Sequence, residues 1–141
     1  MRQRLIEYLL SFVPQGDPEP EVRLVRWIHD RGHALLGVNT GEIIELSVSA
    51  VRDWARETRR APCDLLLQVF FHEYHHFLGA YIEHTMRREA DLSERERELQ
   101  AESWAKLMME NVGKGRAFVT RPDMKYLRRG EIRMRFKPPE W

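Results

Sequence analysis

The sequence contains few of the features that define several common protein classes. Cys63 is the single cysteine among 141 residues, which excludes an intrachain disulfide framework and is typical of a reducing compartment. No apolar run is long enough to cross a membrane. The N-terminal apolar stretch is interrupted by Glu7, and no small-residue cleavage site of a signal peptide follows it. We therefore expect a cytoplasmic protein with no membrane partner.

The chain also has little excess charge of either sign, with a formal net charge of +1. The charges are nevertheless unevenly distributed, because residues 113–141 carry 9 Lys or Arg against 3 Asp or Glu, whereas residues 1–112 carry 14 against 19. We predict one domain over residues 1–112 and a basic C-terminal tail, residues 113–141, packed on that domain. A basic segment of this kind either folds onto an acidic body or reaches an acidic partner, and its interspersed aromatic residues keep nucleic acid as an alternative partner.

The central motif is His72-Glu73-x-x-His76, which lies inside an apolar run predicted to be a helix from Pro62 to about Met86. Residues four apart share a helix face, so the two imidazoles can converge on one metal ion. Glu73 is one step round the helix, where a carboxylate suits a general base that takes a proton from metal-bound water. The alternative is a pair of core histidines bonded to backbone carbonyls or carboxylates.

A distant histidine is disfavoured as the third metal ligand, because none occurs after His84. The metzincin position for a third histidine is Ile82, and His84 is two residues late on a continuing helix. The ligand must therefore be sought among other residue types.

Glu98 and Glu102 offer carboxylates on the following predicted helix, which a capping box at Ser93 to Glu96 begins. They lie four apart at one edge of an apolar arc, so they face the interior. We assign Glu98 as the ligand and Glu102 as a second-shell acceptor from a histidine N–H. The alternative is that both pair with Arg95 or Lys106 on a solvated face.

These two helices together resemble the gluzincin metallopeptidases, and specifically the ImmA/IrrE-like group, which has Glu-x-x-Ala-Asn/Asp-x-Phe-Ala after its His-Glu-x-x-His helix. The matching segment begins at Glu98 and spans Glu-Leu-Gln-Ala-Glu-Ser-Trp-Ala. The resemblance covers roughly Leu65 to Met109. Glu102 stands where the family prefers Asn or Asp, which leaves open which glutamate binds the metal, and Trp104 stands where it prefers Phe.

The resemblance implies one Zn²⁺ per chain, held by His72, His76 and Glu98, with Glu73 as the catalytic base. It therefore implies a small metallopeptidase that hydrolyses peptide bonds of a peptide or protein substrate. The chain also resembles the minimal single-domain gluzincins, which a segment lying in the cleft keeps latent. For the tail, this resemblance raises the same role. Further candidates for substrate or oxyanion contacts are His75, Glu83 and His84.

The expected fold class is α+β. We predict three short strands, Val22 to His29, His33 to Val38 and Glu42 to Leu46, forming an antiparallel sheet in hairpin succession. This sheet packs on a backing helix from about Ala50 to Arg59, capped by Ser47 or Ser49, on the His-Glu-x-x-His helix and on the glutamate helix. The tail adds a strand at Glu131 to Lys137.

Two alternatives to the peptidase remain at this point. One is a regulatory or nucleic-acid-associated protein with a zinc site of the same type, which the basic tail motivates. The other is a metal-free helical interaction domain in which the His and Glu residues only pack.

Overall fold

The computed structural model describes residues 2–13, 16–86 and 93–113, with side chains of the third helix described as far as Tyr81. Nine elements follow one another along these residues: α1 (Arg2–Leu10), β1 (Glu21–Val25), β2 (Ile28–Asp30), β3 (His33–Leu35), β4 (Gly37–Asn39), β5 (Ile43–Ser47), α2 (Val48–Thr58), α3 (Pro62–Met86) and α4 (Glu94–Gly113). The α+β class is therefore confirmed. The tail strand predicted at Glu131 to Lys137 lies outside the described residues.

The three-stranded sheet has β5 at its centre, with β1 on one side and β4 on the other. β4 pairs antiparallel with β5 across a turn at Thr40 and Gly41, in which the Gly41 N–H donates to the Asn39 side-chain oxygen at 3.0 Å. Gly41 has a φ of +94°, a conformation that favours glycine. β1 pairs parallel with β5, so the prediction that all three strands run antiparallel was wrong for this pair.

The physical reason is that each of the first two predicted strands is really two strands. The first divides between β1 and β2 at Arg26 and Trp27, and the second divides between β3 and β4 at Leu36. β2 and β3 form a separate antiparallel hairpin whose turn uses Arg31 and Gly32 at φ of +50° and +79°. The chain between β1 and β5, which includes this hairpin, is the long connection that two parallel strands require.

α3 forms the centre of the core, as its nearly continuous apolar sequence predicts. Its rings stack along one side, with Phe70 to Tyr74 centroids 5.6 Å apart and Tyr74 to Phe77 centroids 5.8 Å apart. The sheet packs against the helix through Ile44 and Leu46, which are fully buried. Burial of each such side chain stabilises the fold by roughly 1.5–3 kcal/mol. α3 is thus held firmly, and the residues that it displays on its open side have fixed positions.

The N-terminal helix α1 is amphipathic and packs on the core through its apolar face. Leu5, Leu9 and Phe12 are buried, and Ile6 and Leu10 pack against them at the margin. None of the helices in the described part of the chain is both long and apolar enough to cross a membrane.

Ser47, rather than Ser49, caps the backing helix α2. Its hydroxyl accepts from the Ala50 N–H at 3.2 Å and donates to the Arg26 carbonyl at 3.1 Å, so it joins the helix to the end of β1. We expect Ser47→Ala to lower the free energy of unfolding by about 1–2 kcal/mol, because a cap and a buried hydrogen bond are both lost. Urea denaturation would measure this.

The matched control is Ser49→Ala, which removes a hydroxyl from the first turn of the same helix without removing the cap. Its expected effect is within about 0.5 kcal/mol. Equal losses in the two variants would contradict Ser47 as the cap.

Helix α4 lies against α3 and begins at the predicted cap, where the Glu96 N–H donates to the Ser93 hydroxyl at 3.2 Å. Ala101, Ala105 and Met108 are fully buried in its inner face. Trp104 reaches across to α3, with its ring centroid 6.0 Å from that of Phe71 in an edge-to-face arrangement. The small alanine side chains allow the two helices to approach closely, and this approach brings the glutamate helix to the motif histidines.

Candidate metal centre

His72, His76 and Glu98 meet on the open side of the α3–α4 pair. The Nε2 atoms of the two histidines are 3.3 Å apart. One Glu98 oxygen lies 3.1 Å from His72 Nε2 and the other lies 2.8 Å from His76 Nε2. The three groups each offer a ligand atom, and these atoms all lie within 4.8 Å of one another. Among the described side chains, they form the one group of three or more His, Cys, Asp or Glu residues close enough to share a metal ion.

The positions of these side chains follow from helix geometry and helix packing. His72 and His76 are one turn apart on α3, so their rings stack on the same face with centroids 5.0 Å apart. Glu98 is three residues before the buried Ala101 on α4, and therefore lies at the edge of the helix contact. The histidines come from local sequence, whereas Glu98 arrives only because α4 folds back on α3.

The separations fit a metal ion bound in tetrahedral geometry. Two atoms bound to one tetrahedral ion at about 2.0–2.1 Å lie roughly 3.3–3.4 Å apart, and the histidine nitrogens have this spacing. Two imidazole nitrogens directed at each other need either a proton or a shared cation between them. Two nitrogens and a carboxylate oxygen are also ligands that zinc accepts.

One side of this group is open to solvent. The His72 and His76 side chains are 25% and 20% exposed, and the Glu98 side chain is 58% exposed. A catalytic metal site needs such an opening, because water and substrate must reach the remaining coordination position. A structural metal site is closed by its ligands, so the exposure favours chemistry over a purely structural role.

Glu73 lies beside the three ligand candidates but in a different environment. Its side chain is only 9% exposed, and it packs against the backbone of β4. Burial, and secondly the negative charge of Glu98, raise the pKa of this carboxyl from 4.5 to about 7. The interaction between the two carboxyls places Glu73 next to the site, as expected for a base that works beside a metal.

The raised pKa of Glu73 predicts a pH-dependent stability of the metal-free protein. A folded pKa above the unfolded one means that the stabilising contribution is complete below about pH 4.5 and is lost as the pH rises to about 7. At about 1.4 kcal/mol per pKa unit, the loss is roughly 3 kcal/mol. Glu73→Gln cannot titrate, so above pH 7 the metal-free variant should be the more stable protein in urea denaturation.

The control for this pH profile is Glu102→Gln, which removes a carboxylate from the exposed face of α4 and should leave the profile unchanged. Parallel profiles for the wild type and Glu73→Gln between pH 4.5 and pH 8 would contradict a buried, neutral Glu73.

The structure separates the two candidate glutamates of α4. Glu98 faces the histidines, whereas Glu102 forms an ion pair with Lys106 at 3.3 Å on the exposed face. Glu102 was assigned as a second-shell acceptor from a histidine, and its position matches instead the solvated pairing that the sequence left as the alternative. The physical reason is that one further turn along α4 carries the side chain away from α3.

The remaining site candidates lie in different places. His75 is 5% exposed and packs on Trp104, with ring centroids 5.5 Å apart, which is an interior position rather than one on the open side. Glu83 and His84 belong to the last turns of α3, and their side chains lie outside the described residues. Their roles in substrate contact stay predictions.

Sequence reasoning missed the contribution of β4 to this site. The strand has only three residues and begins with Gly37, directly after the β2–β3 hairpin. An isolated glycine in a strand pattern signals a close approach of another group to the backbone. That signal was present in the sequence, but it does not reveal which group approaches.

Comparison of the chain with protein-family models, with curated proteins and with solved structures finds no match in any of the three. The structure itself shows an α+β fold with a group of three residues that could hold a metal ion.

Proposed function

We propose that this protein is a small zinc metallopeptidase of the gluzincin type, with one Zn²⁺ per chain held by His72, His76 and Glu98. The observation that carries the proposal is the convergence of these three side chains from two helices, with a buried carboxylate, Glu73, beside them. The glutamate comes from a different helix, 22 residues after His76 in the chain, and completes a set of ligand types that zinc accepts.

Zinc bound there would lower the pKa of a water molecule toward about 7 and polarise the carbonyl of the substrate. The chain itself supplies the orientation and the proton transfer. Glu98 and the two histidines fix the position of the ion, and the exposed side of the site admits the substrate. Glu73 accepts a proton from the attacking water and delivers it to the departing amine, so the peptide C–N bond breaks with no net change in the protein.

A peptide substrate is supported by the edge strand next to Glu73. Among the described strands, β4 pairs only with β5, so within this part of the chain its other edge offers backbone N–H and C=O groups. An extended peptide can add to such an edge and be held by main-chain hydrogen bonds, independently of its sequence. This arrangement would bring a scissile carbonyl to the open side of the metal site.

The experiment is an assay of the full chain on a library of quenched fluorescent peptides and on an unfolded protein. We expect cleavage that ceases with a chelator and returns with one equivalent of zinc. A second assay uses His72→Asn, which removes a ligand but keeps a polar side chain, and no cleavage should be seen. Cleavage that persists in the chelator or in His72→Asn would contradict the proposed metallopeptidase.

For the basic tail we propose either latency or nucleic-acid binding. Residues 114–141 lie outside the described part of the chain. Both can be tested by the same peptide assay, with and without single-stranded nucleic acid at low salt.

A further inference from the structure

The backbone of β4 at Gly37 lies close to the side chain of Glu73. A Cβ atom built on Gly37 would lie 3.1 Å from Glu73 Cγ, 3.0 Å from Val69 Cγ1 and 3.0 Å from Leu46 Cδ2. Separations of this size are shorter than ordinary carbon–carbon contact, which is about 3.5–4.0 Å. No side chain therefore fits at this position unless its neighbours move.

The requirement for glycine here comes from space and not from backbone conformation. The glycines with positive φ in the described residues are Gly16, Gly32 and Gly41, and Gly37 is not among them. Any L-residue could adopt the backbone of β4 at Gly37. Because Gly37 has no side chain, β4 can approach α3 closely at the turn of the helix that carries Val69 and Glu73.

We propose that Gly37 is a positioning residue for Glu73, holding its side chain against the metal centre through the close approach of the β4 backbone. This role rests on the proposed peptidase function. A glutamate has three rotatable side-chain bonds, and a base is effective only when its carboxylate is within hydrogen-bond reach of the proton that it takes. The bare backbone of β4 fills the space into which Glu73 Cγ would otherwise turn.

The contact between Gly37 and Glu73 also relates the edge of β4, where a peptide would bind, to the position of the Glu73 carboxylate. Gly37 is the first residue of the edge strand, so the same atoms that limit Glu73 belong to the strand along which a peptide would pair. A methyl group at position 37 would have to push Glu73, Val69 or Leu46 outward, or lift β4. All three contacts are side-chain atoms, and the Glu73 Cγ can yield only by turning the carboxylate that it carries. A displacement of Glu73 would lower kcat, because the carboxylate would no longer be in position to take a proton.

The test is steady-state kinetics of the zinc-loaded full chain carrying Gly37→Ala, with the zinc content measured in the same preparations. We expect kcat to fall by about 5- to 10-fold, because a Cβ at these separations makes its neighbours move by a few tenths of an ångström, whereas a misplacement of about 1 Å costs about 100-fold. KM should change by less than about twofold, and zinc should remain at one per chain. The matched control is Gly113→Ala, where a built Cβ has no neighbour within 4 Å among the described residues, and its kcat should equal that of the wild type.

A second variant separates positioning from packing. Gly37→Ala combined with Val69→Ala removes the Val69 contact, whereas the Glu73 contact persists. Its melting temperature and kcat are compared with those of Val69→Ala alone, because Val69 is buried and its truncation lowers stability by itself. Under the proposal this double variant keeps the low kcat relative to Val69→Ala alone. Recovery of kcat together with the melting temperature would show a packing role only and would overturn the inference.

The outcomes also distinguish this inference from the proposed function. An active wild type with unchanged kcat in Gly37→Ala overturns the positioning role and leaves the peptidase standing. A zinc-loaded wild type with no turnover on any peptide overturns the peptidase, and the positioning role with it.

Discussion

Replacing Glu73 with glutamine is expected to lower peptide hydrolysis by about 10²–10⁴-fold, the range that loss of a general base produces. The amide keeps the shape of the side chain and its packing against β4, but it cannot accept a proton from water. Because Glu73 is not one of the three convergent ligand candidates, zinc should remain bound at one per chain. The measurement is kcat/KM of the zinc-loaded variant on a peptide that the wild type cleaves.

The control is Glu102→Gln, a substitution of the same kind on the exposed face of α4, where the carboxylate pairs with Lys106. Its activity should stay within about twofold of the wild type. Retained hydrolysis in Glu73→Gln, with zinc bound, would remove Glu73 as the base. Loss of both zinc and activity would instead assign Glu73 to the metal.

Zinc is expected to raise the melting temperature of the metal-free protein by roughly 10–15 °C when its free concentration is about 1,000 times the dissociation constant. A ligand that binds only the folded state then stabilises it by about 4 kcal/mol, and for a chain of this size each kcal/mol corresponds to roughly 3–4 °C. In Glu98→Ala, one of the three ligand atoms is missing, and we expect most of this rise to disappear. Thermal denaturation followed by circular dichroism measures both.

Glu102→Ala should retain the full rise, because Glu102 lies away from the histidines. The melting temperature of the wild type with and without zinc also tests the alternative of a metal-free interaction domain. A melting temperature that zinc leaves unchanged in the wild type would favour that domain and would make the convergence of His72, His76 and Glu98 a matter of packing.

Features with local causes could be predicted from the sequence. α3 runs from Pro62 to Met86 as expected, because a proline suits the first turn of a helix and an apolar run without breakers continues it. α4 begins after Ser93 for a similar reason, since the capping hydroxyl is three residues from the N–H that it accepts. The convergence of His72 and His76 needed only the periodicity of one helix.

The sheet could be predicted only in part, because strand direction depends on residues far apart. Alternating apolar residues gave the approximate positions of the strands, but the break at Arg26 and Trp27 has no glycine or proline to mark it. Treating Val22 to His29 as one strand made an antiparallel meander the natural arrangement. The parallel pairing of β1 with β5 follows only once the chain leaves the sheet in the β2–β3 hairpin.

The sequence alone does not distinguish clearly which of Glu98 and Glu102 faces the two histidines. Both lie near the same edge of the apolar arc of α4, and their directions differ by about 40° on a helix with 3.6 residues per turn. Which carboxylate reaches the histidines depends on how α4 packs along α3, a contact that includes Trp104 against Phe71 and His75. Glu98 is the glutamate that lies beside both histidines, and its role as a metal ligand stays a prediction, whereas Glu102 forms an ion pair with Lys106.

The most direct test of the proposed metal centre is elemental analysis of zinc in the dialysed full-length chain, for the wild type, Glu98→Ala and Glu102→Ala. The geometry predicts close to one zinc per chain in the wild type and in Glu102→Ala, and a large loss in Glu98→Ala. A wild type that holds no zinc even after reconstitution, or a zinc content lost in Glu102→Ala and kept in Glu98→Ala, would contradict a site formed by His72, His76 and Glu98.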